Sequence, residues 1–192
     1  MTSKEQKRIN ILNASIKVFS KYGFHKAKIQ QIADEAEMGK GTIYEYFDSK
    51  KNLFEDMIKH MMEYYIKGIK KVSKIDGSFK VKILSYLEYN VKTLTEHINM
   101  FNIIMNESNE ISKEMQHWMF LMKMEIYNQI ESIIEEAIVK GELRNDLDKE
   151  VAAFMIIGTS NQYCSKKIFD KNLSLDEMNL SLVIETLING LQ

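Results

Sequence analysis

Lys40, Gly41, Thr42, Tyr44, Glu45 and Tyr46 crowd hydrogen-bonding groups into barely two turns of a helix, with Ile43 and Phe47 four residues apart among them. In a helix those two apolar side chains share one face and can anchor it, leaving the polar set on the other. Such a helix is short and polar enough to enter the major groove of DNA. Gly41 lets the backbone approach a phosphate closely. Thr42 and the tyrosine hydroxyls can donate to phosphates or base edges. Lys50 and Lys51 follow in the first turn of the next helix, where the macrodipole disfavours cations by about a few tenths of a kcal/mol. A phosphate docked there would account for Lys50, because helix N-termini and lysines both attract anions. The competing reading is a pair of solvated lysines on an exposed turn.

The elements that must hold this set can be read from apolar spacing and punctuation. Ile9, Leu12, Ile16 and Phe19 predict a helix over about 4–22, ended by Gly23. A second helix spans about 29–36, burying Ile29, Ile32, Ala33 and Ala36, and a third spans about 40–47. Asp48-Ser49 offers a cap to a long fourth helix over 49–75, along which Leu53, Met57, Met61, Tyr65 and Ile69 recur. After Asp76-Gly77-Ser78 come helices at about 79–97, 98–107, 110–140, 149–169 and 175–190, the last opened by a capping box at Ser174–Glu177. The expected fold is therefore all-α, with about nine helices. A three-helix N-terminal domain over residues 1–48 is joined by the fourth helix to a helical body, the two together making up 49–192.

Composition agrees with that class and narrows the function. No proline and only eight glycines occur in 192 residues, and period-2 strand runs are absent. The net charge of -1 is uneven: residues 1–60 carry 11 Lys/Arg against 8 Asp/Glu, and residues 61–192 carry 15 against 19. A basic head on an acidic body suits nucleic-acid contact at one end. Cys164 is the only cysteine, so no internal disulfide is possible. The charged start lacks the apolar stretch of a secretory signal, and no apolar run approaches the roughly 18 residues needed to span a bilayer. A cytoplasmic protein with no membrane partner is expected.

Catalysis finds little support. Gly39-Lys40-Gly41-Thr42 lacks the earlier glycine of a phosphate loop, and its lysine precedes Gly rather than Ser or Thr. His25, His60, His97 and His117 show no metal-ligand spacing. Glu135-Glu136 reads as a solvated helix face. No enzyme, metal or cofactor is expected.

The segment Gly23–Phe54 resembles the DNA-binding domain of the TetR family of bacterial transcriptional regulators. The resemblance is carried by Gly23-Phe24, Ile32-Ala33, Ala36, Lys40-Gly41-Thr42-Ile43-Tyr44, Tyr46-Phe47, Ser49-Lys50 and Leu53-Phe54. A fainter echo is Lys140-Gly141-Glu142-Leu143-Arg144 before Asp148. The chain departs from the family at three places. Glu37 stands where the turn carries glycine, Gly39 where a serine caps the third helix, and Lys28 where threonine caps the second. A non-Gly residue at positive φ costs about 1 kcal/mol, so a distorted or longer turn is expected at Glu37. Only Arg8 and Arg144 are arginines, so the commonest guanine contact is missing from the reading helices. Lys28, Gln30, Lys40, Gly41, Thr42, Tyr44, Glu45, Tyr46 and Lys50 are the expected DNA contacts, with Gln30 suited to adenine and the operator A·T-rich.

The resemblance further implies a homodimer on an operator with two half-sites, and a small-molecule effector bound in the body that releases the DNA. Ala152, Met155, Gly158, Leu180, Ile184, Leu187 and Ile188 are the expected dimer surface; closing the monomer core is their other reading. Tyr86, Tyr89, Phe101, Met105, His117, Trp118, Met122, Tyr127, Phe154, Asn161 and Tyr163 are the expected effector lining, and their methionines and aromatics suit a lipophilic ligand. The same residues could equally be plain core. Activation in place of repression, or a body that binds a protein partner, are the alternatives.

Overall fold

The computed structural model describes residues 2–171 and 177–191, without the side chains of 105, 106, 108, 167–171, 190 and 191. Among the described residues there are nine α-helices, one 3₁₀ turn and no strand. They are α1 (Ser3–Lys26), α2 (Ile29–Glu35), α3 (Lys40–Tyr46), α4 (Lys50–Val72), α5 (Phe79–Glu96), α6 (Ile98–Asn106), α7 (Lys113–Val139), α8 (Lys149–Lys171) and α9 (Leu180–Leu191), with the 3₁₀ turn at Ser108–Glu110.

Local chemistry sets most of the boundaries. Thr2 and Glu5 form a capping box at the start of α1, and Gly23 interrupts its regular winding at φ 74°. The Ser49 hydroxyl accepts from Asn52 N at 3.0 Å and so caps α4 as its sequence suggests. Ser112 and Asp148 do the same for α7 and α8. At the end of α7, Gly141 takes φ 74° and the Glu142 amide reaches Ala137 O at 2.9 Å, a Schellman closure. The cap expected at Ser174–Glu177 falls mostly outside the described residues; Asn179 caps the described α9, accepting from Leu182 N at 3.0 Å.

Two compact units emerge. The first comprises Met1–Tyr64 and His97–Met119, the second Tyr65–Glu96 and Phe120–Gln192. The boundary at 48 drawn from the sequence divides the chain by role; compactness divides it elsewhere, because α6 packs on α1. In the first unit Phe54 meets Phe19 at 5.1 Å and Phe24 at 4.9 Å between ring centroids. Ile32, Ala33, Ile43 and Phe47 close the same core from α2 and α3, joined by Met100, Ile111 and Met115. Full burial of each large side chain contributes about 1.5–3 kcal/mol, which is what fixes two helices of only seven residues each. Arg8 pins α1 to α4 through Asp56 Oδ2 at 2.7 Å while lying 5.2 Å over the Phe47 ring.

In the second unit α5 presents Phe79, Ile83, Tyr86, Leu87 and Val91 inward and packs on α8 and α9. Its polar ties are Lys82–Glu136 at 2.6 Å, Lys70–Glu125 at 2.8 Å and Lys80–Glu185 at 3.1 Å. Four residues expected at the dimer surface belong to this core. Ala152 (1% exposed), Leu180 (5%), Ile184 (0%) and Leu187 (8%) are buried within the chain, so their periodicity is accounted for by packing inside it. Ile188 is half-buried, whereas Met155 and Gly158 are exposed. With Val151 and Leu182 they give α8 and α9 an outward apolar face.

Candidate functional site

The connection between α2 and α3 keeps a tight geometry in spite of Glu37. That residue takes φ 55°, the one non-glycine at positive φ among the described residues. Met38 N donates to Ala33 O at 2.9 Å and Glu37 N to Asp34 O at 3.2 Å, the two bonds of a Schellman motif. The distortion expected from the sequence does not occur, because these bonds and the buried Ala33 hold the backbone while Glu37 carries the strain. At the start of α2, lysine has no acceptor to offer. The missing cap is met from the other side: Gln31 Oε1 accepts from Lys28 N at 2.8 Å. Gly39 precedes α3 with no side-chain cap.

This scaffold turns α3 outward. Ile43 and Phe47 are each 1% exposed, while Lys40, Gly41, Tyr44 and Glu45 face solvent and Thr42 and Tyr46 are half-buried. A Cβ at Gly41 would meet nothing within 4 Å, so its backbone is open to a phosphate. Lys28 and Gln30 are exposed on α2. Gln30 is not idle: its Nε2 donates to Asp34 Oδ1 at 2.7 Å.

Lys50 explains its own awkward position. Its Nζ donates to His25 O at 3.1 Å and lies 4.8 Å from the centre of the Phe24 ring. It thereby caps the end of α1 from the start of α4. Desolvation lowers its pKa from the ordinary lysine value, while Glu107 and Glu110 pull it back up. His25 Nε2 lies 3.1 Å from Glu107 Oε2 and 3.7 Å from Glu110 Oε1. One corner of the first unit thus holds two basic side chains against two acids.

An open cleft of about 420 Å³ lies beside the reading helix, lined by Ser3, Lys4, Lys7, Glu45 and Tyr46. Lys4 and Lys7 were missed by the sequence reading. Their place before the first apolar stripe was the available signal, but nothing in the sequence alone put α1's start next to α3. The cleft offers two flexible cations near the exposed face of α3, which suits contact with a phosphate backbone.

The expected effector residues are divided between the two units. Phe101, His117 and Trp118 lie in the first unit, the first two exposed and Trp118 half-buried. The side chain of Met105 is outside the described residues. In the second unit Tyr86 is buried, Tyr89, Met122, Tyr127 and Tyr163 are half-buried, and Phe154 and Asn161 are exposed. The structure stacks Tyr89 on Tyr65 at 5.6 Å and tilts Tyr127 against Phe154 at 4.6 Å. Asn90, which the sequence reading passed over, accepts from the Tyr65 hydroxyl through Oδ1. Among the described residues no group of three or more His, Cys, Asp or Glu is placed to hold a metal ion. No described helix is long and apolar enough to cross a membrane.

Residues 11–57 match the model of the bacterial regulatory proteins of the tetR family, and residues 77–165 match that of the tetracyclin repressor-like C-terminal domain. The chain belongs to the TetR family. It is a DNA-binding transcriptional regulator whose α2–turn–α3 segment is the helix-turn-helix. Among TetR-family relatives, the fatty acid metabolism regulator protein of Bacillus subtilis is 25% identical over 192 residues, covering 100% of this chain and 98% of that protein. The solved structure of FadR from Bacillus subtilis in complex with stearoyl-CoA superposes with a TM-score of 0.77 at 24% identity, covering 96% and 99% of the two chains. FadR from Bacillus halodurans gives a TM-score of 0.75 at 22% identity, over 96% and 99%. These structural likenesses support the same TetR-type architecture.

Proposed function

We propose that this regulator is a homodimeric repressor that leaves its operator when a long-chain acyl compound binds its body. The observation that carries the DNA half is the presentation of α3: two buried anchors hold a helix whose Lys40, Gly41, Tyr44 and Glu45 are all exposed. Lys28, Gln30, Thr42 and Tyr46 complete the reading surface, and Lys50, Lys4 and Lys7 supply phosphate contacts. Residues 1–48 read the DNA, and 49–192 dimerise and receive the effector. The absence of arginine from α2 and α3 favours an operator that is A·T-rich at its contacted positions, with two half-sites facing the two copies.

The acyl effector rests on full-length similarity to the Bacillus subtilis fatty acid metabolism regulator, and on the stearoyl-CoA carried by a structural neighbour. The dimer uses the outward face of α8 and α9, where Val151, Met155, Gly158 and Leu182 leave apolar surface uncovered. Ligand binding would favour a conformation in which the two reading helices no longer match the half-site spacing.

The test begins with selection of operators from random duplex DNA, followed by titration of the complex with stearoyl-CoA. An A·T-rich two-fold consensus, released by the thioester, is the expected outcome. A G·C-rich consensus would refute the base-reading assignment. A complex indifferent to stearoyl-CoA would refute the acyl effector.

A further inference from the structure

Two charges in the first unit stand where the helix dipoles oppose them. Lys50 opens α4, whose N-terminus disfavours a cation, and Glu107 sits against the end of α1, which disfavours an anion. A Cβ on Gly23 would lie 3.6 Å from Glu107 Oε1, while Glu107 Oε2 is 3.1 Å from His25 Nε2. Glu110 Oε1 is 3.7 Å from the same ring nitrogen. Lys50 meets His25 through the backbone, donating to its carbonyl at 3.1 Å with its ammonium 4.8 Å from the centre of the Phe24 ring. One residue thus joins the lysine read as a phosphate contact to two carboxylates. The carboxylates do not owe their place to the cations. Glu107 N donates to Ile103 O at 2.8 Å and Glu110 N to Glu107 O at 2.9 Å, which closes the turn that carries both. Met100 before that turn, and Ile111 and Met115 after it, are buried in the core of the reader. Ser112 N donates to Glu55 Oε1 at 2.8 Å and so ties the segment to α4 within two turns of Lys50. The side chains of Glu107 and Glu110 are only 20% and 33% exposed, so neither is a freely solvated surface acid.

We propose that Glu107 and Glu110 are an internal competitor for the operator phosphate at Lys50, and so set how tightly the regulator holds DNA. The competitor acts through Lys50 and rests on the reading of that lysine as a phosphate contact. A carboxylate and a phosphate offer an ammonium the same thing, an anionic oxygen that accepts a charge-assisted hydrogen bond. A phosphate that reaches Lys50 therefore meets a cation already in the field of two fixed acids, and part of the gain from the new contact is lost in the exchange. Burial lowers the Lys50 pKa, and Glu107 and then Glu110 oppose that lowering, so both carboxylates act on this ammonium. His25 is the positioning residue: its ring lies against the acids and its carbonyl holds the lysine. Glu114, exposed in the first turn of α7, carries the same charge on the same segment and serves as the control.

The experiment is a double-mutant cycle on operator affinity, read by fluorescence anisotropy with a labelled duplex selected from random DNA. Glu107→Gln combined with Glu110→Gln keeps the side-chain volumes and removes both charges. On a dimer that carries the corner twice it should bind about fourfold more tightly than the wild type, about twofold for each corner, as exposed ion pairs are worth. Glu110→Gln alone, which leaves Glu107 and its contacts in place, should gain about 1.5-fold to twofold and covers the case in which the double variant folds poorly. In the Lys50→Met background the same substitutions should gain nothing, and Glu114→Gln should bind like the wild type. A gain as large without Lys50, or one matched by Glu114→Gln, would show general repulsion between acids and DNA and overturn the competitor. So would no gain at all. If Lys50→Met itself holds the operator as tightly as the wild type at every salt concentration, the phosphate reading of Lys50 fails and the competitor falls with it. A normal loss in Lys50→Met with no gain from the glutamines would overturn the competitor alone.

Discussion

Replacing Lys50 with methionine should separate its two roles, support of the fold and attraction of a phosphate. Methionine keeps an unbranched stem over Phe24 but loses the bond to His25 O at 3.1 Å and the charge 4.8 Å from the ring. The hydrogen bond is exposed to solvent, so the stability cost should be no more than about 1 kcal/mol. The effect on DNA is of another kind. A lysine that neutralises one phosphate releases a condensed counterion, which adds about 0.9 to the slope of log affinity against log salt. A dimer presents Lys50 twice, so the variant's slope should be shallower by about 1.8. Over a fourfold rise in salt, from about 50 to about 200 mM, the wild type should lose about 12-fold more affinity than the variant. Fluorescence anisotropy with a labelled operator at four or five salt concentrations measures this directly. Parallel lines, displaced by a constant factor or not at all, would refute phosphate contact and leave Lys50 as a strut between α1 and α4.

Three further outcomes follow from particular contacts. Glu37→Gly relieves a left-handed residue worth about 1–2 kcal/mol but loosens the unfolded chain by about 0.4–1, so urea melting should show net stabilisation of about 0.5–1 kcal/mol; a loss would show that Glu37 makes a compensating contact. The Glu136 carboxyl is held down to about 2, from 4.5, by hydrogen bonds from Lys140 and Lys82. A depressed folded pKa means that its contribution is present above pH 4.5 and is lost as the pH falls toward 2. Melting temperatures of wild type and Glu136→Gln should therefore differ most near neutrality and converge through that window, and a gap independent of pH would sink the assignment. Met155→Lys, on the exposed face one turn from Val151, places like charges across a two-fold axis and should shift the protein toward monomers in sedimentation velocity. An unchanged dimer would put the interface elsewhere.

The helix-turn-helix was legible in the sequence because its residues answer to local sterics and to one short-range core. Ile43 and Phe47, four apart, can only face inward if the polar residues between them face out, and the structure buries both. The cap at the start of α4 was equally legible, since a cap depends on a few neighbouring residues. The body was harder for a physical reason. Apolar periodicity marks a face that leaves water, and it does not record whether the cover comes from the same chain or from a second copy. Ala152, Leu180, Ile184 and Leu187 therefore looked like interface and proved to be core. Asn90 and Lys82 were passed over for the opposite reason: a polar residue on a helix reads as solvent-facing unless its distant partners, Tyr65 and Glu136, are known.

Charge is where reading along the chain and reading in space diverge most. Residues 1–60 look basic, with 11 Lys/Arg against 8 Asp/Glu. The compact unit that carries the reader also includes Glu63 and the segment His97–Met119, which brings Lys113 but also Glu107, Glu110 and Glu114. Counted that way the unit holds 12 Lys/Arg against 12 Asp/Glu and has no net charge with histidine neutral. Its attraction to DNA cannot then come from a bulk field; it must come from how the charges are arranged. Lys28 and Lys40 are exposed on the reading helices, and Lys4 and Lys7 line the cleft beside α3. Glu107 and Glu110 sit at the corner with His25, near enough to Lys50 to offset part of the lowering that burial imposes on its pKa. With a screening length of about 8 Å at physiological salt, local lysines of this kind act only on phosphates they nearly touch. On the proposed DNA contacts, operator recognition is a short-range fit, and anything that draws Glu107 and Glu110 toward or away from His25 and Lys50 changes the charge presented at the start of α4.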